Sequence, residues 1–381
     1  MNKNRKLKLC LIGDISNVHC KRWANYFAEK GHEVHFVDNH YYKYKNLKLH
    51  YLKDYTRIKL IDYLSRLIRA KYIIRKIKPD LVHSQQLTYH GFLGALSDAH
   101  PYIVTPWGSD TLFDYEKSFV HKYIIKYALD KADIIHQIDM NGVERVNQIY
   151  GDHRGRLFLL NEGVDTKVYR KKRFSKKNKI TLLSIRVPKE SYNTLLFVEA
   201  LNIIINKYGI KNIIAVMCNE GDKIARDRFY EKRLNGLINK YNLRKYMRFF
   251  RYTREVYYTQ HLMENADIYV DTMYRTVRGQ GFGKTGLEAM SSALALVIPD
   301  NPDVTIYVKH MQNGLLYKKN DAEALAKAIV KLVENKKLRE KLGRSARKFI
   351  LKNYDWEKNI KLLEDKYYEL ANRPKKKNFL N

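Results

Sequence analysis

Short apolar runs alternate with longer stretches of helical periodicity along the first half of the chain. Runs without polar alternation are typical of strands buried on both faces of a sheet. The predicted strands are residues 7–12, 33–37, 80–83, 102–105, 134–137 and 157–160. The clearest predicted helices between them are residues 23–30, 56–78 and 118–131. Strands that alternate with helices predict a parallel sheet covered on both faces.

The alternation restarts after residues 170–179 (RKKRFSKKNK), which have no apolar periodicity and predict an exposed connector. Strands are then predicted at residues 180–185, 213–217, 247–251, 268–271 and 296–299. Helices are predicted at residues 194–206, 225–241, 285–292, 321–333, 338–351 and 356–371. We therefore expect an α/β protein with two Rossmann-like domains, residues 1–168 and 169–353, followed by a helix and a basic tail, residues 354–381. The cleft between two such sheets is the default ligand site, because ligands bind beyond the carboxyl ends of parallel strands.

Composition narrows the class of protein. The 381 residues are 45% apolar and 29% charged, which excludes a disordered, collagen-like or coiled-coil chain. With 72 Lys and Arg against 40 Asp and Glu, the net charge is +32, which favours nucleic acid, anionic lipid or phosphorylated ligands. Cys10, Cys20 and Cys218 have neither disulfide-framework nor zinc spacing, as expected of an intracellular protein. The apolar run near the N-terminus is too short for a signal peptide, and no apolar run is long enough to span a membrane.

A glycine-rich loop, residues 278–290 (RGQGFGKTGLEAM), follows a predicted strand and leads into a helix. Glycines let the backbone approach a ligand closely, Lys284 adds a positive charge, and Thr285 is a good N-cap. Because amides at a helix start attract phosphate, the loop predicts an anion site. The P-loop of nucleotide triphosphatases is a poor match, since Arg278 stands where its first glycine belongs. Spacing alone also allows Glu288 to form a capping box with Thr285.

The loop resembles the E-x-F/G-G-x4-E-A-M-A motif of glycosyltransferases of family 4, which have the GT-B fold. Other family motifs occur in the same order along the chain. Residues 161–165 (NEGVD) resemble the N-G-V-D motif with an extra Glu162, and residues 266–270 (ADIYV) resemble the strand before the loop. Residues 313–316 (NGLL) resemble the N-G-x-L motif, and residues 354–356 (YDW) resemble the start of the terminal helix. Residues 19–34 resemble the H-x-x-R-W…G-H-E-V pattern of one subgroup. The resemblance covers almost the whole chain and implies a terminal helix that crosses back to the first domain.

The resemblance implies roles for the second domain. Glu288 corresponds to the glutamate that binds the ribose hydroxyls, and Gln280 replaces the glutamate that contacts the donor sugar. Arg186 corresponds to the arginine that binds the diphosphate. Tyr192 replaces its usual lysine partner, and Lys189 is a substitute candidate. The donor-binding loop itself comprises Gly281, Phe282, Gly283, Lys284 and Thr285.

In the first domain, Trp107 replaces a family histidine that contacts the donor sugar. Trp107 is expected to stack on a sugar face or to pack in the core, and Asp110 to bind hydroxyls. Gly13 corresponds to the glycine loop after the first strand. His19 and Arg22 are candidate acceptor-side groups, with a structural role as the alternative. No D-x-D motif or Asp-rich cluster is evident, so no metal site is predicted.

Residues 43–78 contain 12 Lys or Arg and 2 Asp, a net charge of +10. Cations near an anionic leaflet stabilise membrane association, and the acceptors of the family are often lipid-linked, so an anionic membrane surface is a candidate partner. No RNA- or DNA-binding motif is present, so no specific nucleic acid partner is expected. Enrichment in Lys across the whole chain is the competing explanation.

The resemblance implies a retaining, metal-independent glycosyltransferase. Its donor substrate is a nucleoside diphosphate sugar, with UDP favoured, and no further cofactor is expected. The acceptor is a glycan or a lipid-linked saccharide of surface polysaccharide biosynthesis, which places the protein in the cytoplasm or on the inner face of the plasma membrane. The departures at Gln280, Trp107 and Tyr192 leave a non-catalytic partner subunit as an alternative. A nucleotide-sugar 2-epimerase is a second alternative.

Overall fold

The computed structural model describes residues 5–43, 45–151, 153, 155–170, 179–220, 227–252, 256–273 and 282–373. The chain divides into two compact units. The first unit comprises Met1–Glu162 and Lys358–Asn381, and the second comprises Gly163–Glu357. Each unit is built on one sheet whose described strands are all parallel. The predicted α/β class is therefore confirmed.

The first unit contains a seven-stranded sheet in the order β3-β2-β1-β4-β5-β6-β7. Its strands are β1 Lys8–Ile12, β2 Glu33–Asp38, β3 Lys48–Tyr51, β4 Leu81–Gln85, β5 Tyr102–Thr105, β6 Ile134–Gln137 and β7 Leu157–Leu159. Its helices are α1 Val18–Glu29, α2 Lys59–Ile77, α3 Tyr89–Leu96, α4 Phe119–Lys131 and α5 Met140–Tyr150, with one π-helical turn at Asp110–Asp114. The strand order reverses between β1 and β4, where ligands of such sheets bind.

The second unit contains a six-stranded sheet in the order β10-β9-β8-β11-β12-β13. Its strands are β8 Ile180–Ser184, β9 Ile213–Glu220, β10 Met247–Arg251, β11 Ile268–Val270, β12 Ala295–Pro299 and β13 Leu315–Tyr317. The other α-helices of the described residues are α6 Thr194–Asn202, α7 Arg228–Lys240, α8 Val256–Glu264, α9 Gly283–Ser291, α10 Pro302–Thr305, α11 Ala322–Glu334, α12 Lys336–Asn353 and α13 Trp356–Ala371, and a π-helical turn at Ile203–Lys207 continues α6. The order reverses between β8 and β11.

Both faces of the second sheet are buried. On β11, Ile268 and Val270 belong to one apolar cluster, whereas Tyr269 between them belongs to another. Successive side chains of a strand point to opposite faces, so the two clusters are the cores above and below the sheet. This arrangement explains why the strands read as apolar runs without alternation. Within the described residues, no helix combines the length and the apolar character needed to cross a membrane.

Candidate functional site

Arg186 lies just beyond the carboxyl end of β8 in the second unit. Its Nε and Nη2 atoms donate hydrogen bonds of 3.1 and 2.9 Å to the same oxygen of Asp271, which follows β11. Nη2 also donates to the carbonyl oxygen of Phe282 at 3.3 Å. Because β8 and β11 are neighbouring parallel strands, the residues that follow them meet at one edge of the sheet.

The Arg186–Asp271 pair is largely removed from solvent, with side chains 13% and 3% exposed. Burial by itself would lower the pKa of Arg186, but the charge of Asp271 raises that pKa above its usual range. The hydroxyl of Tyr269 donates to Asp271 at 3.3 Å, and the amide of Met273 donates to it at 3.0 Å. Asp271 therefore holds a fixed, positively charged guanidinium at the sheet edge.

Tyr192 occupies the position where the resemblance places a lysine. Its ring lies under the guanidinium of Arg186, 5.3 Å from the ring centroid to Cζ. A cation over an aromatic face is a stabilising arrangement, so Tyr192 supports Arg186 instead of adding a second charge. Lys189 is exposed at the start of the 3-10 turn Glu190–Tyr192. Its role as a substitute cation stays a prediction.

Helix α9 begins beside Arg186. Its first residue is Gly283, and Phe282 is the N-cap without a side-chain capping bond. The prediction that Thr285 caps this helix is wrong, because Thr285 lies inside the first turn, with its Oγ1 3.4 Å from the hydroxyl of Tyr269. The capping-box interpretation of Glu288 fails with it. Gly283 has φ +70°, which favours glycine, and a Cβ there would lie 3.2 Å from Nη2 of Arg186.

Two features fix the start of α9 against the core. The ring of Phe282 is buried and stacks on Tyr307, with ring centroids 5.5 Å apart. Gly286 lies directly against that ring, since a Cβ at this position would be 2.6 Å from it. Phe282 therefore presents its backbone, rather than its side chain, toward Arg186.

Glu288 is on α9 and is 5% exposed. Lys284 lies four residues before it, so the two share one face of the helix. The predicted sugar contact Gln280 and the loop residue Gly281 lie outside the described residues, as does most of the predicted connector between the domains. The described part of the donor-binding prediction therefore consists of Arg186 and the first turns of α9, which the structure brings together.

In the first unit, Gly13 directly follows β1, and Asp110 begins the π-helical turn that follows β5. A Cβ at Gly13 would be 3.1 Å from the sulfur of Cys20, so the loop packs tightly on α1. The carboxylate of Asp110 is fully buried and accepts hydrogen bonds from the amides of Leu87 at 2.8 Å, Thr111 at 3.0 Å and Trp107 at 3.2 Å. Burial raises the pKa of Asp110 to about 6, although these amides act against the rise. Asp110 thus fixes the loop that carries Trp107, and its contact with a sugar stays a prediction.

His19 contacts Glu162 on the same side of the first unit. Nδ1 of His19 donates to Oε2 of Glu162, and the two side chains are 25% and 8% exposed. The His19 ring also lies against Trp107, with centroids 4.9 Å apart, and Trp107 in turn lies 6.1 Å from Trp23. Arg22 is half-buried one turn after His19 on α1, so the two share a face. The acceptor-side candidates His19 and Arg22 thus share one face of α1, and the donor-side candidate Trp107 packs on His19.

A chain of hydrogen-bonded buried side chains packs under Trp23, next to the group of His19 and Trp107. Nδ1 of His83 forms a hydrogen bond with the hydroxyl of Tyr367, and its Nε2 forms one with the hydroxyl of Thr105. Thr105 is also 2.9 Å from Nδ1 of His136, whose Nε2 donates to the carbonyl oxygen of Leu160. Burial lowers the pKa of His136 to about 4 and that of His83 well below its usual value. These imidazoles are neutral at pH 7, and the rings of Trp23 pack on both.

Asp14, Asp38 and His40 form a small cluster that the sequence did not reveal, with ligand atoms all within 4.8 Å. The Asp38 carboxylate accepts from the amides of Ile15 and His40 at 2.8 and 3.1 Å. The Asp14 carboxylate accepts from the amide and hydroxyl of Ser16. The two carboxylates of the cluster therefore fix the loops after β1 and β2 by accepting hydrogen bonds from groups in those loops.

Two functional partners are missing from the sequence prediction, Asp271 and Glu162. Asp271 comes directly after the apolar residues of β11. Ligands of parallel sheets bind at that edge, so this position in the sequence was the signal that could have identified Asp271. Glu162 is the extra residue in the N-G-V-D-like turn, and its departure from the motif was the corresponding signal.

Comparisons with known proteins agree with this architecture. Residues 8–139 match the family described as glycosyl transferase 4-like, and residues 165–349 match glycosyl transferases group 1. The two matches fall in the first and second units respectively. The two matches together cover most of the chain, which is a glycosyltransferase with the GT-B fold.

Relatives and solved structures extend along nearly the whole chain. A glycosyltransferase of Methanocaldococcus jannaschii without an assigned substrate is 26% identical over 345 residues, which cover 86% of this chain and 87% of that protein. A glycosyltransferase of Rickettsia africae has a TM-score of 0.78 at 15% identity, covering 97% of this chain and all of that one. The HepE protein of Anabaena, solved with UDP-glucose, has a TM-score of 0.74 at 14% identity, covering 96% and 100%. At these identities the two solved structures bear on the fold alone.

Proposed function

We propose that this glycosyltransferase moves a sugar from a nucleoside diphosphate sugar, with UDP favoured, and binds the diphosphate between Arg186 and the first turn of α9. The observation that carries the proposal is Arg186, held by Asp271 and turned toward Gly283. Nη1 of the guanidinium lies outside the ion pair with Asp271 and can donate to a phosphate oxygen, and a helix start favours the same negative charge. The solved complexes of HepE with UDP and UDP-glucose lend support to UDP as the nucleotide.

Glu288 is proposed to bind the ribose hydroxyls. A carboxylate accepts two hydroxyl hydrogen bonds, and its burial on α9 keeps water from competing for it. Gln280 is proposed to contact the donor sugar through its amide. Transfer is proposed to retain the anomeric configuration without a metal, with the cationic site stabilising the leaving diphosphate and that phosphate accepting the proton of the acceptor hydroxyl.

His19 is proposed to hydrogen-bond the acceptor hydroxyl. Its Nδ1 is committed to Glu162, so the imidazole is held in the tautomer whose Nε2 accepts a hydrogen bond. Trp107, which packs on His19, is proposed to stack on a sugar face. The acceptor is proposed to be a glycan or lipid-linked saccharide of surface polysaccharide biosynthesis, met at the anionic inner face of the plasma membrane. The net charge of +32 supports that location.

Thermal denaturation with UDP, GDP, ADP and their sugars tests the donor site, at low salt and at about 0.3 M salt, which screens non-specific attraction. Ligand at 100 times its Kd should stabilise the protein by about 2.7 kcal/mol. A salt-resistant shift with UDP, lost in Arg186→Ala and Glu288→Ala but kept in the exposed control Arg248→Ala, is the expected result. Shifts that are equal for all nucleotides and vanish in salt would contradict the proposed site.

Product analysis tests the reaction. Turnover of UDP-sugar by the isolated protein would exclude a non-catalytic subunit, and a glycoside rather than an epimerised UDP-sugar would exclude an epimerase. Proton NMR of the product reads the anomeric configuration, and an inverted product would overturn retention. Activity that falls in EDTA and returns with a divalent cation would overturn metal independence.

A further inference from the structure

Helix α2 exposes a row of large apolar side chains to solvent. Leu60, Leu64, Ile68 and Tyr72 recur every four residues and are 67%, 49%, 72% and 65% exposed. Residues four apart lie above one another on a helix, so the four form one continuous stripe. Single exposed apolar residues are ordinary, whereas a contiguous row marks an interaction surface.

The stripe is not the face that holds α2 on its own unit. Ala70, Ile74 and Ile77 are buried in the core of the first unit and lie on the other side of the helix. A surface helix of a globular protein is normally apolar only toward its core. Helix α2 is apolar on both sides, and the exposed stripe is not explained by packing against the part of the chain that the structure describes.

Cations accompany the stripe. Lys71 and Arg75 lie within the same arc of the helix, and each is 3.5 Å from a single carboxylate oxygen of Asp98, which offsets only one of the two charges. Lys76 is exposed beside them. The segment from residue 43 to residue 78 carries a net charge of +10. Tyr41, Tyr55 and Ile58, which precede the helix, are also largely exposed.

We infer that α2 lies in the surface of a lipid bilayer that contains anionic phospholipids. Leu60, Leu64, Ile68 and Tyr72 insert below the headgroups, and Lys71 and Arg75 contact the lipid phosphates. Exposed apolar side chains and cations on one face of a helix are the pattern of helices that lie in a membrane interface. The inference deepens the proposed function and rests on it for the presence of the acceptor at such a surface.

Charge argues against the other occupants of this surface. A second copy of the chain docked stripe to stripe would bring two strongly basic segments together, which costs free energy. Nucleic acid would satisfy the cations, but Leu and Ile side chains gain little from a phosphate backbone or from stacked bases. An anionic bilayer satisfies both the cations and the aliphatic row.

Liposome flotation with the full chain tests the inference, using vesicles of phosphatidylcholine alone and with about 30% phosphatidylglycerol. The test variant is Leu64→Ser with Ile68→Ser. The matched control is Phe229→Ser with Tyr257→Ser, two side chains of the second unit that are 73% and 78% exposed. We expect the wild type and the control to bind the anionic vesicles, and the test variant to bind them at least about tenfold more weakly. Lys71→Gln with Arg75→Gln should weaken binding to the anionic vesicles only.

UDP-induced thermal shifts of the same variants separate this inference from the proposed donor site. An unchanged shift in the Leu64→Ser, Ile68→Ser variant, together with lost flotation, supports the inference. Equal flotation of test and control variants would overturn it. So would sedimentation of the wild type as a dimer that the test variant dissociates, or a wild type that binds RNA homopolymer but not anionic vesicles. Intact flotation without any UDP shift would overturn the donor site and leave the membrane surface standing.

Discussion

Arg186 donates through both Nε and Nη2 to a single oxygen of Asp271, at 3.1 and 2.9 Å. The pair joins the residues that follow two neighbouring strands, and it leaves Nη1 of the guanidinium outside the ion pair. A guanidinium fixed in this way is preorganised for an anion, because little side-chain freedom remains to be lost on binding.

Asp271→Asn is expected to destabilise the second unit by about 3 kcal/mol, since Arg186 would keep its charge in a largely buried place without a counter-ion. Urea denaturation at pH 7 measures the loss. Asp300→Asn, the same change at an exposed position after β12, is the control and should stay within about 0.5 kcal/mol of the wild type. Equal effects of the two changes would mean that the charge of Asp271 does not stabilise Arg186.

Gly286→Ala is expected to destabilise the protein by about 1–3 kcal/mol, because the new methyl group would meet the buried ring of Phe282 at 2.6 Å. The start of α9 should shift with that ring, so the UDP-induced thermal shift should also decrease. Gly236→Ala in α7 is the matched control, since a Cβ there has nothing within 4 Å and alanine favours a helix. A Gly286→Ala protein as stable as the control would indicate that the ring of Phe282 moves aside at little cost.

Most strands of the two sheets were predictable because burial on two faces leaves an uninterrupted apolar run. Strand β3, with the sequence KLHY, was missed because none of its residues is fully buried. Strand β13 was also missed. Helix α3 was missed for a different reason. It contains Gly91 and Gly94, which disfavour helices, yet a Cβ at Gly94 would lie 2.3 Å from Ser84, so close packing on β4 requires glycine there.

Site residues that belong to a sequence motif were predictable. Residues that contact the site only through the tertiary fold were not. The glycine loop and Arg186 carry local or family signals. Asp271 and Glu162 are 85 and 143 residues from the side chains they hold, so no spacing rule connects them. The start of α9 at Gly283 rather than Thr285 was equally out of reach, because the backbone there is set by the packing of Phe282.

Stability is expected to fall below pH 6.5 through buried histidines, among them His90. Burial lowers the pKa of His90 to about 4. In the unfolded chain His90 binds a proton near pH 6.5, whereas in the folded protein it binds one only near pH 4. Acid therefore favours the unfolded state, and at pH 5 this group lowers the free energy of unfolding by about 2 kcal/mol. Both ring nitrogens of His90 lack a hydrogen-bond partner among the described residues. His90→Leu should therefore retain most of the stability at pH 7 and lose less of it at pH 5.

Urea denaturation of the wild type and His90→Leu at pH 7 and pH 5 checks this expectation. His121→Leu is the control, because His121 lies partly exposed near the start of α4. The same loss of stability between the two pH values in His90→Leu and the wild type would contradict a neutral, buried His90.

The pair of His19 and Glu162 gives the sharpest prediction for the acceptor side. His19→Ala removes a proposed hydrogen bond to the acceptor hydroxyl, and Glu162→Gln removes the charge that holds the imidazole. Loss of one hydrogen bond between neutral groups costs about 0.5–1.5 kcal/mol, so kcat/KM for the acceptor should fall about two- to tenfold in His19→Ala. Glu162→Gln should give a smaller decrease in the same constant. The UDP-induced thermal shift should not change in either variant, since both residues belong to the first unit and Arg186 to the second.

The first unit contains a matched pair for this experiment. His100 also donates through Nδ1 to a carboxylate, that of Asp133, at 2.6 Å. That pair lies before β5 and β6, at the opposite ends of the strands from His19. Because ligands bind beyond the carboxyl ends of parallel strands, His100→Ala should leave kcat/KM for the acceptor within about twofold of the wild type. An equal loss in His100→Ala and His19→Ala would indicate a general effect on the fold of this unit. An unchanged constant in His19→Ala would remove His19 from the acceptor site.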